Sequence, residues 1–171
     1  MGAQCNNYEV AEAIYNQSKR FGINPAWIFS IVKNESACDP QAVRRVKAKG
    51  LMQLMDPTAL AIADNLGMKQ ANGKSHTTSS IGKLMLENMS LNVEFGIRYF
   101  REQFYNITGQ ALSALRSMPG ITVGLELAVA AYNAGPFAVT QHKGIPPYRE
   151  TREYVSRVIQ TAKNYFSAQE L

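Results

Sequence analysis

Helical periodicity is the feature that most limits what this chain can fold into. Apolar residues recur at helical spacing through most of it, and no stretch alternates apolar and polar residues convincingly, as a half-buried strand does. Asn24-Pro25 and Asp56-Pro57 are start signals, because an Asn or Asp side chain caps a helix and the φ of proline suits its first position. The pattern predicts a mainly α fold with little or no sheet.

The periodicity predicts helices at about 9–20, 25–36, 56–65, 91–105, 122–134 and 151–166. Gly22 and Gly67 are stop signals. The connections 68–80 and 106–121 are rich in polar or helix-breaking residues, and such long connections in a compact domain are often functional loops. The segment 41–46 is expected to pair only locally.

The composition indicates an ordinary globular protein that makes one domain, residues 1–171. Hydrophobic residues make up 46% and charged residues 18%, which argues against a disordered or fibrous chain. A net charge of +5 favours an anionic partner such as nucleic acid, an acidic membrane face or an anionic cell-wall polymer. No run approaches the ~20 apolar residues of a membrane span. No membrane span is therefore expected. A nucleic-acid partner is not expected either, because no nucleic-acid motif or phosphate-binding glycine loop is present.

The cysteines, Cys5 and Cys38, are too few for a metal site and lack the CxxC spacing. They can form one disulfide between the N-terminus and the segment after Glu35, which would suit an oxidising compartment, or they can remain two thiols. His76 and His142 have no partners at metal-ligand spacing and are expected on surface loops.

Four segments carry the candidate chemistry. Glu35-Ser36 follows the apolar run WIFSIV; GLMQLM lies at 50–55, AAYNAGP at 130–136 and PPYRETREYV at 146–155. In this order and at this spacing they resemble the catalytic domain of lytic transglycosylases of the soluble-transglycosylase type, over about residues 8–165. The resemblance implies a lysozyme-like α fold that acts on the glycan strands of peptidoglycan.

Glu35 is the candidate catalytic residue. Cleaving a glycosidic bond needs an acid that stays protonated near neutral pH, and burial raises the pKa of a carboxyl because it disfavours the charged form. Taken alone, Glu35 would more often be a solvated residue at a helix end, and only the set of four segments favours the catalytic acid. Its neighbour Ser36 is expected to bind substrate or orient the acid.

The other segments supply expected substrate-binding or supporting residues. Gly50 would let the backbone pass close to a sugar, Met52 would offer an apolar face, and the Gln53 amide would bind hydroxyl or acetamido groups. The alternative for GLMQ is a capping glycine with a core methionine.

The later segments place polar groups at helix ends. The resemblance implies that Tyr132 lies near the acid and helps to position it, while the backbone around Asn133 and Ala134 helps to form sugar subsites. Thr151 is expected to cap the last helix. Glu150 is either structural or lines the cleft.

Only one acid falls in a motif, whereas most glycoside hydrolases use two carboxylates. Asp39 and Asp56 each precede a proline and are interpreted as turn or cap residues. The resemblance implies that one Glu is enough: it protonates the β-1,4 link between N-acetylmuramic acid (MurNAc) and N-acetylglucosamine (GlcNAc). It then removes the proton of the muramyl 6-hydroxyl, which closes a 1,6-anhydro ring. No metal or other cofactor is implied.

The chain departs from the family pattern at several positions. Arg44 stands where the family usually has serine, and Lys47 and Lys49 flank Ala48 just before GLMQ. These bases are expected to contact the anionic stem peptides of peptidoglycan.

Other functions are compatible with the same motifs. A goose-type lysozyme-like hydrolase would release a reducing end, and a glycan-binding or virion structural module would do no chemistry. The resemblance implies action in the cell envelope, outside the cytoplasm, or in a phage virion, and a secretion or conjugation machine or a phage tail as partner. No N-terminal segment has the basic-then-apolar pattern of a signal peptide.

Overall fold

A computed structural model describes residues 4–109 and 123–169 of the chain. A short 3-10 helix, Gln4–Asn6, precedes the α-helices. These are α1 Tyr8–Phe21, α2 Pro25–Ser36, α3 Asp56–Asn65, α4 Thr78–Glu87, α5 Met89–Thr108, α6 Val123–Ala134, α7 Pro136–Gln141 and α8 Arg149–Gln169. The predicted mainly α fold is confirmed, and within the described residues the only β pairing consists of isolated bridges.

Local sequence signals explain several helix ends. Asn24 caps α2, since its side chain accepts a hydrogen bond from the Ala26 N–H at 2.9 Å. α1 ends at Gly22, whose φ of 66° is the left-handed conformation that glycine adopts without strain. α2 is apolar around most of its circumference, and Trp27, Ile28 and Val32 are fully buried. Such a helix must lie inside the molecule. The last turn of α2, which carries Glu35, is therefore in a partly apolar setting.

The helices pack around two hydrophobic clusters. The larger lies mainly between α1, α2, α5, α6 and α8, and the smaller between α3, α4 and α5. α5 contributes to both, through Ile97 and Phe100 to the larger and through Phe95 to the smaller. α5 therefore packs into both clusters. Its residue Asn92 also holds the loop after α2 by hydrogen bonds.

Several details differ from the sequence-based predictions. The region 81–87 was assigned no helix, but Thr77 begins α4 with a reciprocal capping box to Ser80. Pro136 starts the short helix α7, which is not among the predicted helices. Asp56 does not cap α3, because its carboxylate binds the Lys49 ammonium at 2.6 Å and 2.8 Å.

The two predicted loops have different outcomes. Residues 68–77 form a connection with one bridge, between Lys69 and Ser75, before α4 begins. Of the loop predicted at 106–121, residues 106–108 belong to α5, Gly109 ends that helix, and the remainder lies outside the described residues. The segment 41–46 pairs only locally, as predicted, through a bridge from Val43 to Lys49.

A disulfide joins Cys5 to Cys38, with the two Cα atoms 5.1 Å apart. It links the N-terminal 3-10 helix to the residues that follow α2. Ala37 and Cys38 both have a positive φ, of 52° and 65°, which turns the chain sharply after the helix. Among the described helices, none has a stretch both long and apolar enough to cross a lipid bilayer.

Candidate active site

Glu35 lies in the last turn of α2 and is buried, with its side chain 6% exposed. Its surroundings come from three parts of the chain: the turn at 43–49, the end of α6 and the start of α8. The carboxyl therefore sits at a junction of elements rather than on a solvated helix end. The interpretation of Glu35 as an exposed helix-end residue is excluded.

The groups around Glu35 act on its ionisation in opposite directions. Burial raises the pKa of the Glu35 carboxyl above its usual value, and the negative charge of Glu150 adds to the rise. The Tyr154 hydroxyl, by hydrogen bonding, and the charges of Arg44 and Arg157 hold the pKa of Glu35 lower than burial alone would. The net effect is upward, so the carboxyl keeps its proton to a higher pH than a solvated glutamic acid.

Tyr154 is the side chain that interacts directly with the Glu35 carboxyl through a hydroxyl. It is fully buried in α8, and its hydroxyl makes no hydrogen bond of regular geometry to any described group. The interaction with Glu35 is therefore weaker than a regular hydrogen bond. Burial raises the pKa of Tyr154 well above its usual value, so this hydroxyl remains a neutral donor.

Tyr132, which the family resemblance puts beside the acid, hydrogen-bonds to the backbone of the GLMQ loop instead. Its hydroxyl donates to the Met52 carbonyl oxygen at 2.7 Å. The ring packs edge-on against Tyr99, with the ring centroids 5.2 Å apart. Tyr132 is close enough to Glu35 for the carboxylate charge to raise the tyrosine pKa, after the larger effect of burial. It therefore supports the GLMQ loop, and only indirectly the acid.

The GLMQ loop is fastened to α5 by Asn92, a fully buried residue. The Asn92 side chain accepts a hydrogen bond from the Met52 N–H at 2.9 Å and donates one to the Lys49 carbonyl at 3.0 Å. A side chain at Gly50 would collide with Asn92, and Gly50 also has a φ of 73°. The close approach that demands glycine here is thus to Asn92, not to a sugar as expected from the sequence.

Met52 cannot offer an apolar face to a ligand, which corrects the sequence-based expectation. Its side chain is fully buried and packs against α5 at Gly96, where a Cβ would overlap the Met52 sulfur. Gln53 is also buried, and its amide nitrogen donates to the carbonyls of Ala42 and Gly50 at 3.0 Å and 2.8 Å. Met52 and Gln53 hold the loop in shape through these contacts.

The remaining predicted residues are distributed around the same junction. The Ser36 hydroxyl donates to the Val32 carbonyl at 3.1 Å, within its own helix. Thr151 is not a cap, since it is buried inside α8 and donates to the Asn133 side-chain oxygen at 2.9 Å. Ala134 ends α6. Glu150 is exposed, in the first turn of α8.

The three bases before the GLMQ loop have different surroundings, and their expected contact with stem peptides stays a prediction. Lys49 is bound to Asp56, and Arg44 contacts Glu35. Lys47 is exposed. In the part of the chain that the structure describes, no three His, Cys, Asp or Glu residues gather at a spacing that could hold a metal ion.

The geometry agrees with the result of comparison with known proteins. The family model described as the transglycosylase SLT domain matches residues 12–155, most of the chain. The chain belongs to this family. The matched range contains Glu35, the GLMQ loop, Tyr132 and Tyr154.

Related proteins agree with this assignment. The SLT domain is 30% identical, over 129 residues, to the membrane-bound lytic murein transglycosylase C of Actinobacillus pleuropneumoniae serotype 5b, and equally to those of serotypes 3 and 7. These alignments cover 74% of the chain but only 30% of each relative.

A solved structure is also similar. The X-ray structure of an inactive mutant of the lytic transglycosylase Slt from Pseudomonas aeruginosa matches with a TM-score of 0.68 and 28% identity. The match covers 93% of this chain and 24% of that one. The lysozyme-like fold class expected from the sequence is confirmed.

Sequence reasoning missed three residues of this junction. Tyr154 lies in the fourth motif, four residues after Glu150, a spacing that puts both on one face of α8. Arg44 stood out as a departure from the family pattern and was expected to contact stem peptides, not Glu35. Asn92 gave no signal beyond being a polar residue on the apolar side of a predicted helix, a position that is costly unless its hydrogen bonds are satisfied.

Proposed function

We propose that this SLT domain cleaves the β-1,4 bond between MurNAc and GlcNAc in peptidoglycan without water, leaving 1,6-anhydroMurNAc ends. Glu35 is the acid and then the base. The observation that carries the proposal is the position of Glu35: a buried carboxyl whose pKa is raised, at a junction of motif-bearing elements.

The steps follow from that position. Protonated Glu35 gives its proton to the glycosidic oxygen as the bond to the anomeric carbon breaks. The 2-acetamido carbonyl of the muramyl sugar stabilises the positive charge that develops. The Glu35 carboxylate then takes the proton of the 6-hydroxyl while that oxygen bonds to the anomeric carbon. Glu35 ends as it began, and no metal is needed.

The carboxylates near Glu35 support a mechanism with a single acid. Asp39 accepts a hydrogen bond from the Gln41 N–H at 2.9 Å, as a turn residue does. Asp56 is neutralised by Lys49. Glu150 is exposed and raises the pKa of Glu35 through its charge, which keeps the acid protonated. Exposure suits an ionised base or nucleophile, so Glu150 is the carboxylate that a two-carboxylate hydrolase would use.

The comparisons support the substrate class. The curated relatives are called lytic murein transglycosylases, and the solved relative is an inactive glutamate-to-glutamine mutant of a lytic transglycosylase. The SLT domain spans under a third of those relatives, so we carry over the glycan strand and the reaction only as part of this proposal.

The test is product analysis by mass spectrometry of purified sacculi digested with wild type and with Glu35→Gln. Wild type should release anhydro-muropeptides, each lighter by one water than the hydrolytic product. Glu35→Gln should lose activity by about 10²–10⁴-fold, the usual contribution of a general acid. It should remain folded, because it replaces a carboxyl whose charged form is penalised by burial.

Two results would replace the proposal. Reducing ends in the products would assign the goose-type hydrolase reaction, and Glu150→Gln would then be the next variant, since Glu150 would be the second carboxylate. Sacculi left intact by wild type under all conditions, but still bound, would assign a glycan-binding or virion structural module.

The setting of the reaction is part of the same proposal. Cleavage of peptidoglycan places the protein in the cell envelope, outside the cytoplasm, or in a phage virion. Opening the wall locally would serve a secretion or conjugation machine or a phage tail. Pull-down with the whole envelope fraction, before and after removal of peptidoglycan, separates a protein partner from binding to the wall itself.

A further inference from the structure

The turn before the GLMQ loop carries a side chain that reaches the catalytic junction. Arg44 donates from Nη2 to the Glu35 carbonyl oxygen at 2.7 Å. The same nitrogen lies 3.5 Å from the Glu35 carboxylate oxygen Oε2 and 3.4 Å from the Asn34 carbonyl oxygen. One guanidinium nitrogen thus contacts both the backbone and the side chain of the acid.

The backbone on both sides of Arg44 is fixed. The Arg44 N–H donates to the Ala48 carbonyl at 3.0 Å, and the Arg44 carbonyl accepts from the Lys47 N–H at 2.8 Å. The turn is joined to the GLMQ loop, because Ala42 accepts hydrogen bonds from Gly50 N–H and from the Gln53 amide. The guanidinium therefore reaches Glu35 from a turn whose place is set by the GLMQ loop.

We propose that Arg44 is a positioning residue of the site, which holds the Glu35 carboxyl at the end of α2 and stabilises the carboxylate left by proton donation. The inference rests on the proposed function. The carbonyl contact is independent of protonation and keeps the guanidinium in place when Glu35 is neutral. When the proton leaves, the ion pair at 3.5 Å gains its full attraction without any movement of the chain.

Every other element that faces Glu35 contributes a weaker charge or none. α8 supplies the neutral hydroxyl of Tyr154 together with Glu150 and Arg157, and α6 supplies neutral Tyr132. Arg157 has a smaller effect on Glu35 than Arg44 and lies 3.9 Å from Glu153. Arg44 is the charged group with the largest influence on the Glu35 carboxyl.

A purely structural role is the competing explanation. Cations near a helix C-terminus stabilise the helix by interacting with its last carbonyls, and Arg44 binds two of them. A role as a cap alone predicts a loss of fold stability, whereas stabilisation of the carboxylate predicts in addition a shift in the titration of Glu35 and in the rate of clearing. Titration therefore discriminates between the two roles.

The experiment is a ¹³C NMR titration of the Glu35 carboxyl, assigned as the resonance that Glu35→Gln lacks. In Arg44→Gln the titration midpoint should move to higher pH than in wild type. Arg44→Ser, with the residue usual in the family, is a second neutral variant in case the first folds poorly. Arg44→Lys keeps a charge and should lie between Arg44→Gln and wild type.

Arg45→Gln is the matched control, because Arg45 is exposed on the same turn and has no ion pair among the described residues. Its midpoint should equal that of wild type. A midpoint unchanged in a folded Arg44→Gln or Arg44→Ser would overturn the proposal and leave Arg44 as a helix cap.

Turbidity clearing of sacculi gives the kinetic readout. In Arg44→Gln the alkaline limb of the pH–rate profile should move to higher pH. The plateau rate should fall roughly fivefold, because one charge interaction in a half-exposed setting is lost. Arg45→Gln should match wild type in both. The titration needs no substrate, so a failure of the proposed reaction would show in the products and a failure of this inference in the titration.

Discussion

At the scale of single residues, two buried tyrosines have different roles at the site. Tyr154 interacts with the Glu35 carboxyl and lowers its pKa, whereas Tyr132 donates to the Met52 carbonyl at 2.7 Å. Both rings are buried and both hydroxyls remain neutral. The same substitution, Tyr to Phe, should therefore have different consequences at the two positions.

Tyr154→Phe should act on pH dependence. Loss of the hydroxyl removes an effect that lowers the pKa of Glu35, so that pKa rises and the acid form persists to higher pH. The alkaline limb of the pH–rate profile for sacculus clearing should move to higher pH. The free energy of unfolding should change by less than about 1 kcal/mol, because no regular hydrogen bond is lost.

Tyr132→Phe is the control for that variant and should act on stability. It leaves the buried Met52 carbonyl without its partner, which costs about 1–3 kcal/mol of unfolding free energy in urea titration. The alkaline limb should stay where it is in wild type. Equal pH shifts in the two variants would contradict the division of roles.

At the scale of elements, the GLMQ loop depends on α5. Asn92 binds the loop backbone at Lys49 and Met52, and Gly96 makes room for the Met52 side chain. The loop in turn fixes Ala42 and the turn that carries Arg44. α5 therefore sets the geometry of the GLMQ loop and, through it, of the Arg44 turn beside the acid.

Gly50→Ala should be markedly more destabilising than Gly67→Ala. Both glycines have a positive φ, of 73° and 64°, so each alanine costs about 1–2 kcal/mol in backbone strain. At Gly50 the new Cβ also overlaps Asn92, whereas nothing lies within 4 Å at Gly67. The collision should add about 1–3 kcal/mol, as overpacking does.

Chemical denaturation of both variants measures this difference in unfolding free energy. Gly50→Ala should in addition slow sacculus clearing, since a shifted loop moves the Arg44 turn. Equal losses of stability at the two glycines would mean that Asn92 yields to the new side chain, and would argue against its role in fastening the loop.

At the scale of the whole molecule, the disulfide connects the N-terminal 3-10 helix to the junction around Glu35. Cys5 and Cys38 are 33 residues apart, and Cys38 comes three residues after Glu35. The crosslink closes a loop that contains all of α1 and α2, the helices that carry and flank the acid. Such a bond persists in oxidising compartments, which suits work outside the cytoplasm.

Replacing both cysteines by alanine should lower the free energy of unfolding by about 3–4 kcal/mol, the loop-closure entropy for a crosslink of this span. The measurement is denaturant unfolding of wild type and double variant, each with and without reductant. Wild type should lose stability on reduction, and the variant should be indifferent to it. Indifference of wild type to reductant would show that the crosslink contributes nothing.

The sequence by itself determined the helices with strong local signals, including α2 with its Asn-Pro start, and it singled out Glu35. Caps, glycine stops and apolar periodicity act within a few residues, so they can be read from the chain. Only the tertiary structure decided which groups surround the acid. Tyr154 and Asn92 reach the junction from distant segments and Arg44 from the next turn, and the burial that tunes Glu35 exists only once these segments pack together.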